Sequence, residues 1–332
     1  MTIDNLKKVL IGDPFPSSHE VHERLDKVRA LAVFASDPIS SNAYATEAIM
    51  GVLIVMGSGA LSMTVPLGLA VAGLVLLVIS SYIQTIMHYP GGGGSYIVSK
   101  DNLGTLPSLI AAAALLTDYV LTVSVSVSAG VRAVTSAFPG AFEHRVWIAL
   151  GAIAFITWIN LRGMRESGMI FAIPTYAFVS GVFVVIVIGM VKYYGLFSAS
   201  PVPVVEVHVP AESSVTGFSY VWLLLRAFAG GCTALTGIEA ISDGVQAFKP
   251  PESKNAAITM VVMGIMAMSL FIGITFLATQ ISLIPNEAES ILSQLTRRIT
   301  GGGFLYFWVQ VDFRIFHDSA ISWRGTVSSH AG

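Results

Sequence analysis

The sequence contains few charged residues and almost no cysteine. Charged residues make up 11% of its 332 positions, whereas soluble domains have about 25%, and a soluble fold of this length could not cover its surface with so few. The single cysteine, Cys232, excludes an intramolecular disulfide. A net charge of −2 offers no basic surface for nucleic acid. These shortages argue against a soluble enzyme, a disulfide-stabilised domain and a nucleic-acid-binding protein.

Hydrophobic residues are abundant instead, at 54% of the chain, and they are grouped in long segments. A helix that crosses a bilayer needs about 20 mostly apolar residues. About seven segments meet or approach that length, and the short fourth one can be accommodated by local thinning of the bilayer. They are 30–57, 63–88, 106–136, 146–161, 170–195, 218–245 and 256–283. We therefore expect an all-α membrane protein.

An eighth apolar segment begins at Phe304, after which the chain becomes charged. We divide the chain into a cytoplasmic N-terminal segment at 1–29, a transmembrane transporter core at 30–310 and a polar tail at 311–332. Two explanations of the tail remain open. Either the fold is unusual, or the chain is a truncated product with an unrelated, non-native tail, and we favour truncation.

Lysine and arginine residues set the expected orientation, because they are enriched in cytoplasmic loops. With the N-terminus inside, ten of them lie on the cytoplasmic side and five lie at or near the outer face. The ten are Lys7, Lys8, Arg24, Lys27, Arg29, Lys100, Arg162, Arg165, Lys249 and Lys254, and the five are Arg132, Arg145, Lys192, Arg297 and Arg298. We therefore expect a multi-pass protein of the plasma (inner) membrane with a cytoplasmic N-terminus.

Two of the expected spans are interrupted by residues that break helices. The first carries a charge, a proline and three hydroxyls at Ser36–Ser41, and the sixth carries glycines and threonines at Gly230–Gly237. Interrupted backbone survives at membrane depth only where protein or a water-filled cavity satisfies it. Because the breaks open two successive units of five spans, they indicate an inverted-repeat transporter whose second repeat is incomplete. The alternative is that proline and glycine merely kink two packed helices.

Four acidic residues fall within the expected spans, namely Asp37, Glu47, Asp118 and Glu239. A central Asp costs roughly 2.5–3.5 kcal/mol, which makes such residues functional by default. The arginines within spans lie well along their helices from these acids, so the carboxylates need a proton or a bound cation. Glu47 lies one turn past Tyr44 toward the exterior, and we expect it to face an aqueous vestibule.

Oxygen-bearing side chains accompany Asp118 on the third expected span. Asp118, Thr122 and Ser126 follow an i, i+4, i+8 spacing, which places their oxygens on one helix face. Tyr119 flanks this face. Such oxygens suit a hard cation and do not suit a soft metal. Hydrogen bonding within the helix bundle is the open alternative for the hydroxyls and for the carboxylate.

The two breaks carry the remaining oxygen ligands. Asp37 lies beside the hydroxyls of the first break, and Tyr44 follows two helical turns later. Thr236 and Glu239 are three residues apart and share a face at the second break. Burial favours the neutral form of a carboxylic acid, whereas a nearby cation favours the charged form. We therefore interpret Glu239 as the proton-coupling residue, with a structural hydrogen bond as the alternative.

A glycine-rich stretch, Pro90-Gly-Gly-Gly-Gly-Ser-Tyr96, ends the second span. It lacks the G-x-G-x-x-G pattern and follows no strand, so it does not indicate nucleotide binding. We expect a tight turn in which the backbone makes a close contact. The sequence offers no hydrolytic constellation, so we expect neither catalytic residues nor a cofactor.

Several of these motifs resemble the amino acid–polyamine–organocation (APC) superfamily. The glycine-rich stretch, the interrupted spans and Asn160-Leu-Arg-Gly163 carry the general resemblance. A narrower resemblance to KimA-type potassium importers, relatives of the Kup transporters, runs from residue 25 to residue 310. It rests on Asp37-Pro-Ile-Ser-Ser-Asn-Ala-Tyr44, Asp118-Tyr-Val-Leu-Thr122 and Leu235-Thr-Gly-Ile-Glu239.

This resemblance implies a LeuT-like fold and proton-coupled uptake of potassium, with only the potassium ion and the proton as ligands. Members of the family continue into a cytosolic regulatory and dimerisation domain, which implies a homodimer for the longer form. The resemblance also implies an ion site lined by Asp37, Tyr44, Asp118, Tyr119, Thr122, Ser126, Thr236 and Glu239.

The main alternative is an amino-acid permease of the same superfamily. Such transporters bind the substrate carboxylate at a glycine-containing break, through exposed N–H groups and the helix dipole. This chain has Asp37 at that position. Two anions about 4 Å apart repel by about 1 kcal/mol in water and by several at lower dielectric, which favours a cation. A non-transporting receptor is a third interpretation, and it leaves the intramembrane acids unexplained.

Overall fold

The computed structural model describes residues 24–161, 167–198, 200–204, 208–211, 217–286 and 289–309. Within these ranges the chain is helical and contains no named strand. Most of the expected segment 1–29 and the whole of the expected tail 311–332 lie outside the described residues.

The described part of the chain contains helices of very different length. They are α1 (Lys27–Phe34), α2 (Ser36–Leu53), α3 (Thr64–His88), α4 (Gly94–Leu103), α5 (Thr105–Ala137), α6 (Arg145–Leu161), α7 (Ser167–Tyr193), α8 (Phe218–Gly231), α9 (Ala240–Asp243), α10 (Glu252–Gln280) and α11 (Ile291–Thr300). Helical conformation resumes at 304–309.

Six helical segments in the described ranges are long and apolar enough to cross a membrane. The chain is therefore an all-helical, multi-pass membrane protein. The fourth expected span, 146–161, corresponds to α6, which is apolar but has 17 residues. Its membrane-crossing role stays a prediction.

The first expected span is divided at Ala35, between α1 and α2. The division comes one residue before the expected break, and Ser36–Ser41 are helical. Proline is tolerated there because Pro38 lies in the first turn of α2, where its missing N–H has no intrahelical partner to lose. The hydroxyl of Ser36 donates to the carbonyl oxygen of Val33 at 2.8 Å, which satisfies one carbonyl beside the division.

The sixth expected span contains a longer interruption. Helix α8 ends at Gly231, a 3-10 segment follows at Cys232–Leu235, and helix resumes only at α9. Gly237 lies in the turn between them with φ of +85°, a left-handed conformation that glycine adopts without strain. Residues 236–239 therefore form hydrogen-bonded turns instead of a helix, at the position of the expected second break.

The two interrupted helices pack directly against each other. A Cβ atom on Gly231 would lie 2.8 Å from the side chain of Ile49, and one on Gly230 would lie 3.2 Å from the carbonyl oxygen of Ala48. Small residues on α8 therefore allow a close approach to α2, as in other membrane helix pairs. Helix α10 packs against α2, α3 and α7, and its Phe271 side chain is fully buried.

The segments that flank the interrupted helices are joined at one end of the bundle. The amide of Leu25 donates to the carbonyl oxygen of Ala247 at 2.7 Å, and the amide of Lys249 donates to the carbonyl oxygen of Leu25 at 3.0 Å. Arg24 and Glu252 form an ion pair beside this bridge. We call Arg24, Leu25, Ala247, Lys249 and Glu252 the terminal clip; it ties the start of α1 to the chain that follows α9.

Candidate functional site

The first element of the site is the contact between the two breaks. The side chain of Asp37 is 5% exposed and lies against Gly237. A Cβ atom on Gly237 would overlap the Oδ2 atom of Asp37 and would lie 2.9 Å from the Cδ atom of Pro38. Only glycine leaves room for the carboxylate, so the structure places Asp37 where the two interruptions meet.

The second element is the polar face of α5. Thr122 is 6% exposed and Ser126 is 1% exposed, whereas Asp118 and Tyr119 are half-buried. The i, i+4, i+8 prediction therefore agrees with the burial of this face. The Oγ atom of Ser126 has no hydrogen-bond partner among the described residues. A buried hydroxyl without a partner carries a desolvation cost, which a bound cation would relieve.

The third element is a group of acids around Tyr82 on α3. The hydroxyl of Tyr82 makes a hydrogen bond with Ser95 and lies near the carboxylates of Asp118, Glu239 and Asp243. Glu239 is 8% exposed at the end of the second break. The acid of α5 and the acid of the second break therefore both lie within electrostatic range of Tyr82. Their joint membership of an ion site stays a prediction.

Asp243 is a residue that the sequence analysis missed. Its Oδ2 atom accepts a hydrogen bond of 3.1 Å from the hydroxyl of Tyr119. The signal was available, because Asp243 lies within the sixth expected span and four residues after Glu239, hence on the same helical face. Tyr119 was expected to line the ion site, and the structure directs its hydroxyl to this additional acid.

Tyr44 and Thr236 occupy different surroundings. The hydroxyl of Tyr44 lies 3.0 Å from the Oγ atom of Ser41, and Tyr44 also lines a small cavity with Glu47 and Arg132. Thr236 is half-buried in extended backbone at the end of the 3-10 segment, with φ of −62° and ψ of 132°. Tyr44 therefore lies between Asp37 and the Glu47 region along α2.

Glu47 is the acid for which the sequence interpretation was wrong. Its side chain is 12% exposed and forms an ion pair with Arg132 of α5. The Oε2 atom of Glu47 also accepts a hydrogen bond of 3.1 Å from the amide of Ile291, the first residue of α11. The sequence analysis expected the arginines to lie far from the acids. The packing of α2 against α5 instead brings the side chains of Glu47 and Arg132 together. Glu47 is therefore paired with an arginine, contrary to the expectation that no arginine reaches it, and it lines the small cavity together with Tyr44 and Arg132.

The donor set as a whole is suited to a weakly charged, hard cation. The expected ligands are carboxylates, hydroxyls and a phenol, all of which are oxygen ligands. Among the described residues, no three His, Cys, Asp or Glu side chains converge in a group that could hold a metal ion. The buried carboxylates of Asp37 and Glu239 come from different breaks.

Comparisons with known proteins cover nearly the whole chain. Residues 25–315 match a family model described as "Amino acid permease". The chain is also 42% identical over 306 residues to the "Potassium transporter KimA" of Bacillus subtilis (strain 168). That match covers 92% of this chain and 50% of the relative, so the chain spans half the length of the protein it resembles.

Proposed function

The chain belongs to the amino acid permease family, a family of membrane transporters rather than enzymes, and from this premise we propose that it moves potassium by proton-coupled secondary transport. The observation that carries the proposal is the position of Asp37. Its buried carboxylate lies against Gly237, where the two interrupted helices meet. A cation or a proton bound there would balance the charge of the buried carboxylate.

The same observation argues against an amino acid as the substrate. A substrate carboxylate bound at a helix break uses the free N–H groups and the positive end of the helix dipole. In this chain Asp37 already occupies that position. Bringing a second carboxylate to within about 4 Å would cost several kcal/mol at an effective dielectric constant near 20. The name of the relative, a potassium transporter, supports the choice of ion.

We assign the proposed ligands by position. The carboxylates of Asp37 and Asp118 carry the charge that a dehydrated cation needs, and hydroxyl and phenol oxygens complete its shell. The proposed ion-binding set is Asp37, Tyr44, Asp118, Tyr119, Thr122, Ser126 and Thr236. The buried hydroxyl of Ser126 supports this set because it has no hydrogen-bond partner among the described residues.

Glu239 is the proposed site of proton coupling. Its side chain is 8% exposed, and burial favours the neutral form of a carboxylic acid. A cation nearby favours the charged form, so occupancy by the proton and occupancy by potassium are linked through one group. In this scheme the protein lies in the plasma membrane with its N-terminus in the cytoplasm. The proton enters from outside with the ion and leaves to the cytosol.

Uptake by cells that lack their own potassium importers tests the proposal. Because the chain spans half of its relative, it is expressed both alone and as a chimera that continues with the unmatched half of the Bacillus subtilis protein. We expect the chimera to restore growth at low potassium and to take up rubidium, with no saturable uptake of labelled amino acids. Saturable amino-acid uptake without rubidium uptake would support the permease alternative and overturn the proposal.

A further inference from the structure

The glycine-rich turn after α3 is packed mainly onto one residue, Asp243. The amide of Gly93 donates to the backbone carbonyl oxygen of Asp243 at 3.3 Å. A Cβ atom on Gly92 would crowd that same oxygen, and a Cβ atom on Gly94 would overlap the carboxylate Oδ1 atom. All three glycines have positive φ, between +42° and +92°. The close backbone contact expected of this stretch is therefore a contact with the end of the second break.

Two further elements meet the same residue. Helix α5 reaches Asp243 through the hydroxyl of Tyr119, which donates to its Oδ2 atom. Helix α3 reaches the turn through Tyr82, whose hydroxyl bonds Ser95 and lies near Asp243. The carboxylate of Asp243 is thus shared between α5 and the turn, one oxygen facing each.

Asp243 lies close to the second break, so its contact with the turn also affects the segments that leave the breaks. Asp243 ends the short helix α9, which starts directly after Glu239. The next residue, Gly244, is packed on the ring of Phe34 at the end of α1, with 2.6 Å between a Cβ atom on Gly244 and the ring. The terminal clip then ties α1 to the chain after α9. The segments that leave the two breaks toward this end are therefore held as one unit.

We propose that Asp243 is a positioning residue that latches this unit to the glycine-rich turn and closes the ion pathway at the end of the bundle that carries the terminal clip. The inference rests on the proposed function, since it names the contact that must part before the ion leaves. When the unit moves away from the turn, Asp243 releases both the Gly93 amide and the Tyr119 hydroxyl. The hydroxyl of Tyr119 is therefore held when the pathway is closed and released when it opens.

Hydrogen–deuterium exchange of the whole chain in lipid nanodiscs tests the latch. Asp243→Ala removes the hydrogen bond from Tyr119 and the packing of the carboxylate against Gly94, but it keeps the backbone carbonyl that accepts from Gly93. Gly94→Ala places a methyl group on the carboxylate. In both variants we expect the amides of residues 91–95 to exchange about tenfold faster than in the wild type, because the weakened contact lets the turn separate from Asp243 more often. Gly104→Ala is the matched control. Gly104 also has a positive φ, of +93°, but a Cβ atom there meets nothing within 4 Å.

The potassium dependence of exchange separates a latch from a merely structural contact. With potassium bound and the pathway closed, residues 91–95 of the wild type become more protected, and in Asp243→Ala this added protection is lost. Faster exchange throughout the bundle, equal with and without potassium, would reduce Asp243 to a structural residue and overturn the latch. Unchanged exchange of 91–95 in both variants would overturn it as well.

The proposed function fails in a distinguishable way. If the wild type shows no response to potassium and the chimera carries no rubidium, potassium transport is wrong. Faster exchange confined to residues 91–95 in Asp243→Ala and Gly94→Ala, but not in Gly104→Ala, would still support the latch for whatever substrate the site accepts.

Discussion

At the scale of single residues, two serines on one helix have opposite environments. Ser126 is 1% exposed, and its hydroxyl has no hydrogen-bond partner among the described residues. Ser124 is exposed, and its hydroxyl donates to the carbonyl oxygen of Val120 at 2.9 Å. The first hydroxyl is available to a ligand inside the bundle, whereas the second serves its own helix at the surface.

This difference leads to a matched pair of substitutions. Ser126→Ala removes one neutral oxygen from the proposed ion site. Losing a polar contact of about 1 kcal/mol should raise the potassium concentration for half-maximal uptake about fivefold. Ser124→Ala leaves that concentration unchanged. Rubidium uptake by the chimera at varied external potassium measures both. Equal values for the two variants would remove Ser126 from the site.

At the scale of helices and turns, the two breaks depend on each other. Gly237 leaves the space that the carboxylate of Asp37 occupies, and its φ of +85° forms the turn after the 3-10 segment. Both features exclude a side chain. The interrupted helices are therefore complementary in shape at one point, and a single methyl group tests that complementarity.

We expect Gly237→Ala to abolish potassium uptake, because the methyl group displaces the carboxylate of Asp37 and also strains the turn. Gly301→Ala is the control for strain alone. Gly301 directly follows α11 with φ of +76° and has nothing within 4 Å of a Cβ atom, so its substitution costs roughly 1–2 kcal/mol of stability through backbone strain alone. If Gly301→Ala impairs uptake as much as Gly237→Ala, the loss comes from strain rather than from Asp37.

The Glu47–Arg132 ion pair joins α2 to α5, and the amide of Ile291 adds the start of α11. Removing one partner leaves the other partly buried and unpaired. The losses in free energy of unfolding for the two single variants should therefore add up to more than the loss for the double variant. We expect a coupling of about 0.5–3 kcal/mol between Glu47→Gln and Arg132→Met. Denaturant unfolding of the two single variants and the double variant measures it, and additive effects would show that the pair is not energetically coupled.

The elements differ in how far the sequence predicted them. The polar face of α5 and the second break followed from spacing along one helix, which sequence shows directly. The pairing of Glu47 with Arg132 did not, because it depends on which helices are neighbours. Predicting the contact between Asp243 and the glycine-rich turn required both the local sequence pattern and knowledge of which elements are neighbours. The turn was expected to make a close contact, but its partner lies on another element far along the chain.

At the scale of the whole molecule, transport requires that the ion and the proton are coupled through the same movement. Glu239 lies directly before α9, the segment that the latch holds, and near the acid of α5. Under the proposed scheme, a change of protonation at Glu239 would act on both the proposed ion site and the segment that the proposed latch holds.

We expect Glu239→Gln, which resembles the permanently protonated acid, to abolish accumulation of potassium against its gradient. Exchange of potassium for rubidium should persist, since the amide keeps an oxygen ligand. The measurement uses proteoliposomes that contain the chimera, with lumenal pH and potassium recorded together. If the variant acidifies the lumen during potassium uptake at the wild-type ratio, the proton follows another route, and Asp118 becomes the next candidate.

Ligand-dependent stability tests most directly whether the two breaks bind a cation at Asp37, and it can be measured on the chain as it is. A ligand that binds only the folded state raises the melting temperature, by an amount that grows with its concentration over Kd. We expect potassium, but not choline or amino acids, to raise the melting temperature of the purified wild-type chain. We expect no such rise for Asp37→Gly. A wild-type chain that is stabilised by amino acids and indifferent to potassium would contradict the account.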